Sequence, residues 1–308
     1  MIIVDQISKF YAEKRAINEM SFSIDSGEIV GLLGLNGAGK STVLKMLGCF
    51  LMPSKGEARV GGYSIKTEPQ KVRRLIGYLP DTPPLYDEMS VYSYISFVAR
   101  LKGVDRSSLD TMVSASIEKT NLSDVRNTRL SDLSHGYRQR VGIAGSLVHN
   151  PKVLILDEPI NGLDPIQIVE MRDLILSLKG EHTVILSSHI LSEITKTCDR
   201  ILVIKNGELV AEGREEDLRS GATASYEIDI QVVSPSPDFQ KQLKLINGVI
   251  AISSFEDENG HWYRLQCEKD IRSNLAKYTV EKGYDLISLK KNKAELESLF
   301  MNLLGKDS

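Results

Sequence analysis

The chain has little of what would place it outside a reducing, aqueous compartment. Its three cysteines, Cys49, Cys198 and Cys267, are far apart and odd in number. Neither a disulfide framework nor a zinc site is indicated. No apolar run approaches the roughly 20 residues of a membrane helix. The N-terminus, "MIIVDQISKFY", lacks the basic start, apolar core and small-residue cleavage site of a signal peptide. It reads as a strand that begins at once. Neither sign of charge dominates, with 38 basic against 41 acidic residues, so no general pull toward nucleic acid or anionic lipid is expected. Internal repeats and low-complexity segments are absent too. A cytoplasmic protein is the expectation, and any work at a membrane needs a separate chain to span it.

What the sequence does contain is layered. A chain of 308 residues accommodates roughly two domains. To about residue 220, aliphatic runs such as "EIVGLLG", "KVLILD" and "TVILSSH" alternate with amphipathic stretches. Continuous apolar runs are the mark of parallel strands buried on both faces, which predicts an α/β fold. Between about residues 87 and 150 the strand signal gives way to helical spacing, as in "VYSYISFVARLKG" and "RQRVGIAGSLVHN". A helical subdomain inserted in the sheet is expected there.

From residue 222 to 308 the character changes. "SYEIDIQVV" alternates, placing Tyr226, Ile228, Ile230 and Val232 on one face, as a sheet with one buried side requires. A helical stretch, two strands about "DENG", a helix near Ile271 to Lys282 and the strand "YDLISL" follow. The order βαββαβ predicts a small α+β accessory domain of ferredoxin-like arrangement. The tail "NKAELESLFMNLLG" predicts a helix capped by Asn292, with Glu295 three residues on and Gly305 at its end. Its apolar stripe suits packing on the domain's own sheet, or else a partner surface.

"GLNGAGKST", Gly34 to Thr42, has the spacing G-x-x-x-x-G-K-[ST], after a strand and before a helix. In that setting the backbone of Gly34, Asn36, Gly37, Ala38 and Gly39 can turn its N–H groups around a phosphate, and the helix N-terminus adds partial positive charge. Lys40 can reach the β- and γ-phosphates of a nucleoside triphosphate, and Ser41 can ligate Mg²⁺. "VLILDEP" ends a buried strand in Asp157 and Glu158. Asp157 is placed to hold Mg²⁺ with Ser41, which leaves Glu158 to orient the attacking water. "TVILSSH" ends another strand at His189, where ligands bind in open α/β sheets. The stretch "LSHGYRQR" reads in isolation as a helix start, a histidine site or a basic patch.

With the phosphate loop, "LSHGYRQR", "VLILDEP", "NGLDP" and "SSH" in this order, residues 1 to about 220 resemble the ATPase subunit of ATP-binding cassette (ABC) transporters. The wording "IGYLP", "GYRQR" and "GLDP" looks most like bacterial multidrug and gliding-motility-type exporter cassettes. The resemblance implies a P-loop NTPase core that binds ATP and Mg²⁺ and hydrolyses ATP. It implies a head-to-tail dimer, of two copies or with a sister cassette, holding two ATP molecules at the interface. Tyr11 would stack on adenine; Lys40, Ser41 and Thr42 would hold phosphates and magnesium. Glu158 would be the catalytic base, and His189 would contact the γ-phosphate. Ser134 and Gly136 would complete the partner's site, and Asp164 would communicate across the dimer. Arg138 and Arg140 would fix the helix and its interface. Two positions depart from the family's usual wording: Asp81 stands where a magnesium-reaching glutamine is usual, and His135 where glycine is usual.

The expected function is therefore the motor of a transporter, an exporter by its wording. It would lie at the inner face of the cell membrane through a permease contacted around Asp81 to Lys102. No nucleic-acid partner is expected. The alternative is a soluble cassette acting on ribosome or nucleic acid. The single phosphate loop, the lack of sustained heptads and the balanced charge weigh against it. A regulatory ligand sensor in the C-terminal domain is compatible with the first reading.

Overall fold

In the computed structural model, which describes residues 1–221, 226–258 and 260–292, the chain falls into two compact units, Met1–Glu215 and Glu216–Ser308. The first unit opens with strands β1 (Ile2–Tyr11), β2 (Lys14–Ile24) and β3 (Ile29–Leu33), then helix α1 (Lys40–Leu47). Strands β4 (Lys55–Val60) and β5 (Tyr63–Ser64), helix α2 (Pro69–Leu75) and strand β6 (Ile76–Leu79) follow. Three helices come next, α3 (Val91–Leu101), α4 (Leu109–Lys119) and α5 (His135–Leu147). The unit closes with β7 (Val153–Leu156), α6 (Pro165–Ser177), β8 (Thr183–Ser188), α7 (Leu191–Thr197), β9 (Arg200–Lys205) and β10 (Glu208–Gly213).

Its central sheet has the order β10-β9-β3-β8-β7-β6. All neighbours in it are parallel except the β9–β10 pair at the edge. Every residue of β3, β7 and β8 is buried, as strands covered on both faces demand. The consequence for function lies in the order: β8 stands between β3 and β7. The loops leaving the carboxyl ends of these three neighbours carry the phosphate-loop motif, His189 and the Asp157–Glu158 pair, so one end of the sheet gathers all of them. A second, antiparallel sheet, β2-β1-β4-β5, is packed into the same core through Ile2, Ile7, Met20 and Val60.

The three consecutive helices form the inserted subdomain, with a core of its own that includes Val91, Ile95, Val113, Ile117, Val141 and Ala144. Two of the three starts have a sequence reason. Ser90 caps α3 by accepting from Ser93 N at 3.2 Å, and Ser134 caps α5 by accepting from Tyr137 N at 3.5 Å.

The second unit begins within α8 (Glu215–Gly221) and continues β11 (Tyr226–Val232), α9 (Pro237–Lys244), β12 (Val249–Asp257), β13 (Gly260–Cys267), α10 (Arg272–Glu281) and β14 (Leu286–Asn292). The sheet is antiparallel in the order β12-β13-β11-β14. A βαββαβ chain with its first and third strands central is the ferredoxin-like arrangement the sequence predicts. Its core joins Ile228, Ile230 and Val232 to Phe239, Tyr263 and Leu275.

One expectation is corrected here. The alternation of β11 implies a solvated polar face, yet Asp229 and Gln231 are 7% and 5% exposed, and Trp262 on the neighbouring strand is 4% exposed. Asp229 is buried because it is paired: Arg264 donates to both its carboxylate oxygens, at 2.9 and 3.0 Å. The helix expected from Asn292 to Gly305 lies outside the described residues.

Candidate nucleotide-binding site

The turn after β3 is built by close approach. A β-carbon on Gly34 would lie 2.4 Å from the carbonyl oxygen of Ile204, and Gly39 enters α1 with φ of 111°. Any other residue at Gly34 would displace backbone, and any other at Gly39 would be strained by its left-handed φ. The turn delivers Lys40 to the head of α1, where it is 5% exposed. Lys40 Nζ donates to the carbonyl oxygen of Gly34 at 2.7 Å and lies 3.2 Å from Glu158 Oε1.

The acidic pair separates into two environments. Asp157 is 2% exposed, and its Oδ1 accepts from Ser41 Oγ at 3.0 Å and from Ser187 Oγ at 2.7 Å. Glu158 has φ of 50°, in the left-handed region. That conformation costs about 1–3 kcal/mol in a residue other than glycine, and it resolves a geometric difficulty. Successive residues of a strand point to opposite faces, whereas the left-handed turn brings Glu158 to Lys40 and His189, with Asp157 bonded to Ser41 beside them. Ser187 holds the turn, since the amide of Glu158 donates to its hydroxyl at 2.8 Å. His189 Nδ1 lies 3.0 Å from Glu158 Oε2, so the carboxylate sits between an ammonium and an imidazole. An acceptor-only carboxylate fixes a proton on Nδ1, which sets the ring's orientation in the cleft.

These groups face one cleft of about 990 Å³. Tyr11, Asn36, Gly37, Gly39, Lys40, Ser41, Thr42, Asp81, Glu158 and His189 all line it. Tyr11 is 48% exposed, which excludes a core role. Gly34, Ala38 and Asp157 lie behind the lining. Lys14, Arg15, Asn161 and Asn206 also line the cleft; Asn161 opens the "NGLDP" stretch without a predicted role, and no motif in the sequence singles out the other three. Ser187 was missed as well, although a doubled serine ending a buried strand is a signal: a hydroxyl at that depth needs a partner.

Ser134, Gly136 and Asp164 do not line this cleft. Ser134 is exposed at the head of α5. Asp164 caps α6, accepting from the amides of Ile166 and Gln167 at 3.0 and 2.9 Å. Arg138 is bonded to Leu130 O and paired with Asp87, each at 2.8 Å or less, while Arg140 pairs with Glu170 on α6.

With this geometry in place, the comparisons are specific. The family described as ABC transporter matches residues 17–161. The ABC transporter ATP-binding protein YxlF of Bacillus subtilis is 36% identical over 71% of this chain and 72% of its own length. The bacitracin transport ATP-binding protein BcrA of Bacillus licheniformis is 30% identical over 99% of this chain and 97% of its own. The chain belongs to the ABC transporter ATP-binding proteins.

Solved cassettes agree in shape. The ATP-binding cassette MJ0796, in a dimeric post-hydrolysis state bound to ADP and Pi, superposes with a TM-score of 0.64 at 25% identity, covering 70% of this chain and 98% of that one. The ABC protein is thus an ATP-binding, ATP-hydrolysing subunit of a transporter. Among its described residues no helix is long and apolar enough to cross a membrane.

The oxygen set also fits Mg²⁺. Ser41 and Asp157 offer hard donors side by side, with Asp81 on the cleft wall. Among the described residues no group of three or more His, Cys, Asp or Glu side chains could cage a metal unaided. Magnesium suits such a site because it is held by one or two protein oxygens together with substrate phosphates and water.

Proposed function

We propose that this ABC subunit is the motor of an exporter, working as a head-to-tail dimer beneath a separate permease. The observation that carries this reading is the match to the bacitracin transport protein over 99% of the chain, which takes in the C-terminal unit as well as the cassette. Residues 1–220 serve as the ATPase domain, with the helical insert at 87–150, and 222–308 as the accessory domain. The subunit is peripheral at the inner face of the membrane. Its permease contact lies at the edge of the helical insert, where Phe97 and Leu101 of the insert join Tyr86 and Phe50 in lining a groove of about 360 Å³. Phe50 and Leu101 are 68% and 70% exposed, more than a solvated surface favours.

In this reading Tyr11 stacks on adenine, and the amides from Gly34 to Thr42 wrap the phosphates. Lys40 Nζ turns from the Gly34 carbonyl to the β- and γ-phosphates. Ser41, Asp157 and Asp81 would hold Mg²⁺, which screens phosphate charge when bound. Glu158 orients and polarises the attacking water while His189 reaches the γ-phosphate. Ser134 and the amide at Gly136 meet the partner's nucleotide, with the α5 dipole behind them. Asp164 lies at the dimer seam.

Affinity isolation of the tagged chain from detergent-solubilised membranes tests the proposal. A stoichiometric multi-span protein whose presence raises ATP turnover supports it. Recovery with ribosomes or nucleic acid alone would favour the soluble-cassette alternative.

A further inference from the structure

The two positions at which this chain departs from its family's wording, Asp81 and His135, are 54 residues apart in sequence. They meet on one residue. His135 Nε2 lies 3.1 Å from the carbonyl oxygen of Asn161, and the amide nitrogen of Asn161 lies 3.5 Å from Asp81 Oδ1. A carbonyl and a carboxylate only accept, so His135 donates through Nε2–H and Asn161 donates through its amide. Gly162 leaves room for the ring: a β-carbon there would come within 3.3 Å of His135 Nε2.

One helix makes both attachments. His135 and Gln139 are one turn apart on α5 and share a face. Gln139, 1% exposed, donates from Nε2 to the carbonyl oxygen of Asp81 at 3.1 Å. The first two turns of α5 therefore grip the backbone on both sides of the Asp81–Asn161 contact. Asn161 is tied in turn to the water-activating residue, its backbone N–H donating to the carbonyl oxygen of Glu158 at 3.1 Å, while its side-chain amide faces Asp81.

We infer that His135 and Asn161 are positioning residues, forming a clamp within one chain that sets the Asp81 carboxylate at the metal side of its own nucleotide. This rests on the reading of Asp81 as a magnesium-side residue. The helix that presents Ser134 to the partner's nucleotide then also adjusts the site of its own chain, so the two sites of a dimer are coupled through α5. The clamp also accounts for Asp81 in place of the longer glutamine. A shorter side chain loses reach and orientation, and the Asn161 amide restores the orientation.

The test is binding of a fluorescent ADP analogue to the full chain, with Mg²⁺ and with EDTA, read as the ratio of the two affinities. His135→Ala and Asn161→Ala should each lower that ratio by about twofold, the factor carried by a hydrogen bond at the weak end of the usual range, as a 3.5 Å contact is. Affinity in EDTA should stay unchanged in His135→Ala, since His135 does not line the cleft. His135→Ala should add nothing in the Asn161→Ala background, because the relay is already broken. His135→Gln, whose amide can donate to the same carbonyl, should restore the ratio. An unchanged ratio in both alanine variants while Asp81→Ala loses it overturns the clamp and leaves the metal reading intact. An unchanged ratio in Asp81→Ala removes the metal reading and the clamp with it. Equal losses with Mg²⁺ and EDTA would mark a general structural role and overturn the proposal.

Discussion

Replacing Glu158 by glutamine changes one atom's chemistry and almost no volume. In the native chain Glu158 Oε1 lies 3.2 Å from Lys40 Nζ and Oε2 lies 3.0 Å from His189 Nδ1. A glutamine in the same left-handed turn still offers Lys40 an oxygen, and its amide donates to His189 once that ring shifts its proton to Nε2. Fold and nucleotide binding should persist. Lost is the negative oxygen that orients and polarises water, worth roughly 10²–10⁴-fold for a positioned base, or about 3–5 kcal/mol of barrier. A coupled phosphate-release assay on the purified chain should show turnover falling by about that factor. Size exclusion with ATP should show a dimer that native protein forms only transiently. Turnover within twofold of native would refute the assignment of Glu158 and return the role to another group in the cleft.

Other perturbations separate binding from stability. Lys40→Ala strands a nearly buried carboxylate and removes the phosphate's cation, so ATP affinity should fall by about a hundredfold in equilibrium binding; affinity within a few-fold of native would contradict the phosphate role. Burial, reinforced by the charge of Lys102, pushes the His149 imidazole down to about 4. Its Nε2 donates to Ile76 O at 3.0 Å. The unfolded chain then binds more protons than the folded one between about pH 6.5 and 4. Stability present above that window should fall through it as pH drops, by on the order of 2 kcal/mol from pH 7 to 5. His149→Gln keeps a donor to Ile76 and should flatten the urea-midpoint profile; an unaltered slope would show that other groups set it. Phe239 is fully buried, with Tyr284 and Tyr263 rings at 4.3 and 5.3 Å. Phe239→Ala should cost about 3–5 kcal/mol, seen as earlier melting of the second unit; a melt unchanged within 1 °C would deny that this aromatic cluster holds it together.

Much of the fold was legible because its signals are local. The all-buried runs of β3, β7 and β8 read directly as strands, and a helix start was among the readings "LSHGYRQR" offered. The site's principal parts were legible because glycine spacing and strand-end acids carry their geometry with them. Three features were not. The left-handed turn at Glu158 is stabilised by Ser187, 29 residues away, and no local pattern announces it. Asp229 alternates as a surface residue should, yet its pairing with Arg264 lets it be buried, which only tertiary contact decides. His135 stands out only as a departure from glycine, and its contact with Asn161, 26 residues along the chain, has no local sign.

The central claim is that each nucleotide is shared between two chains, and mixing two inactive variants tests it most directly. Lys40→Ala disables the phosphate loop. Ser134→Asp keeps a good helix cap but sets a carboxylate where the partner's phosphate must come. Each protein alone should be nearly inactive in ATP hydrolysis. In a homodimeric arrangement an equimolar mixture has about half its dimers mixed, each with one intact site, so about a quarter of native turnover should return. A mixture no more active than the separate proteins would contradict a site built from both chains.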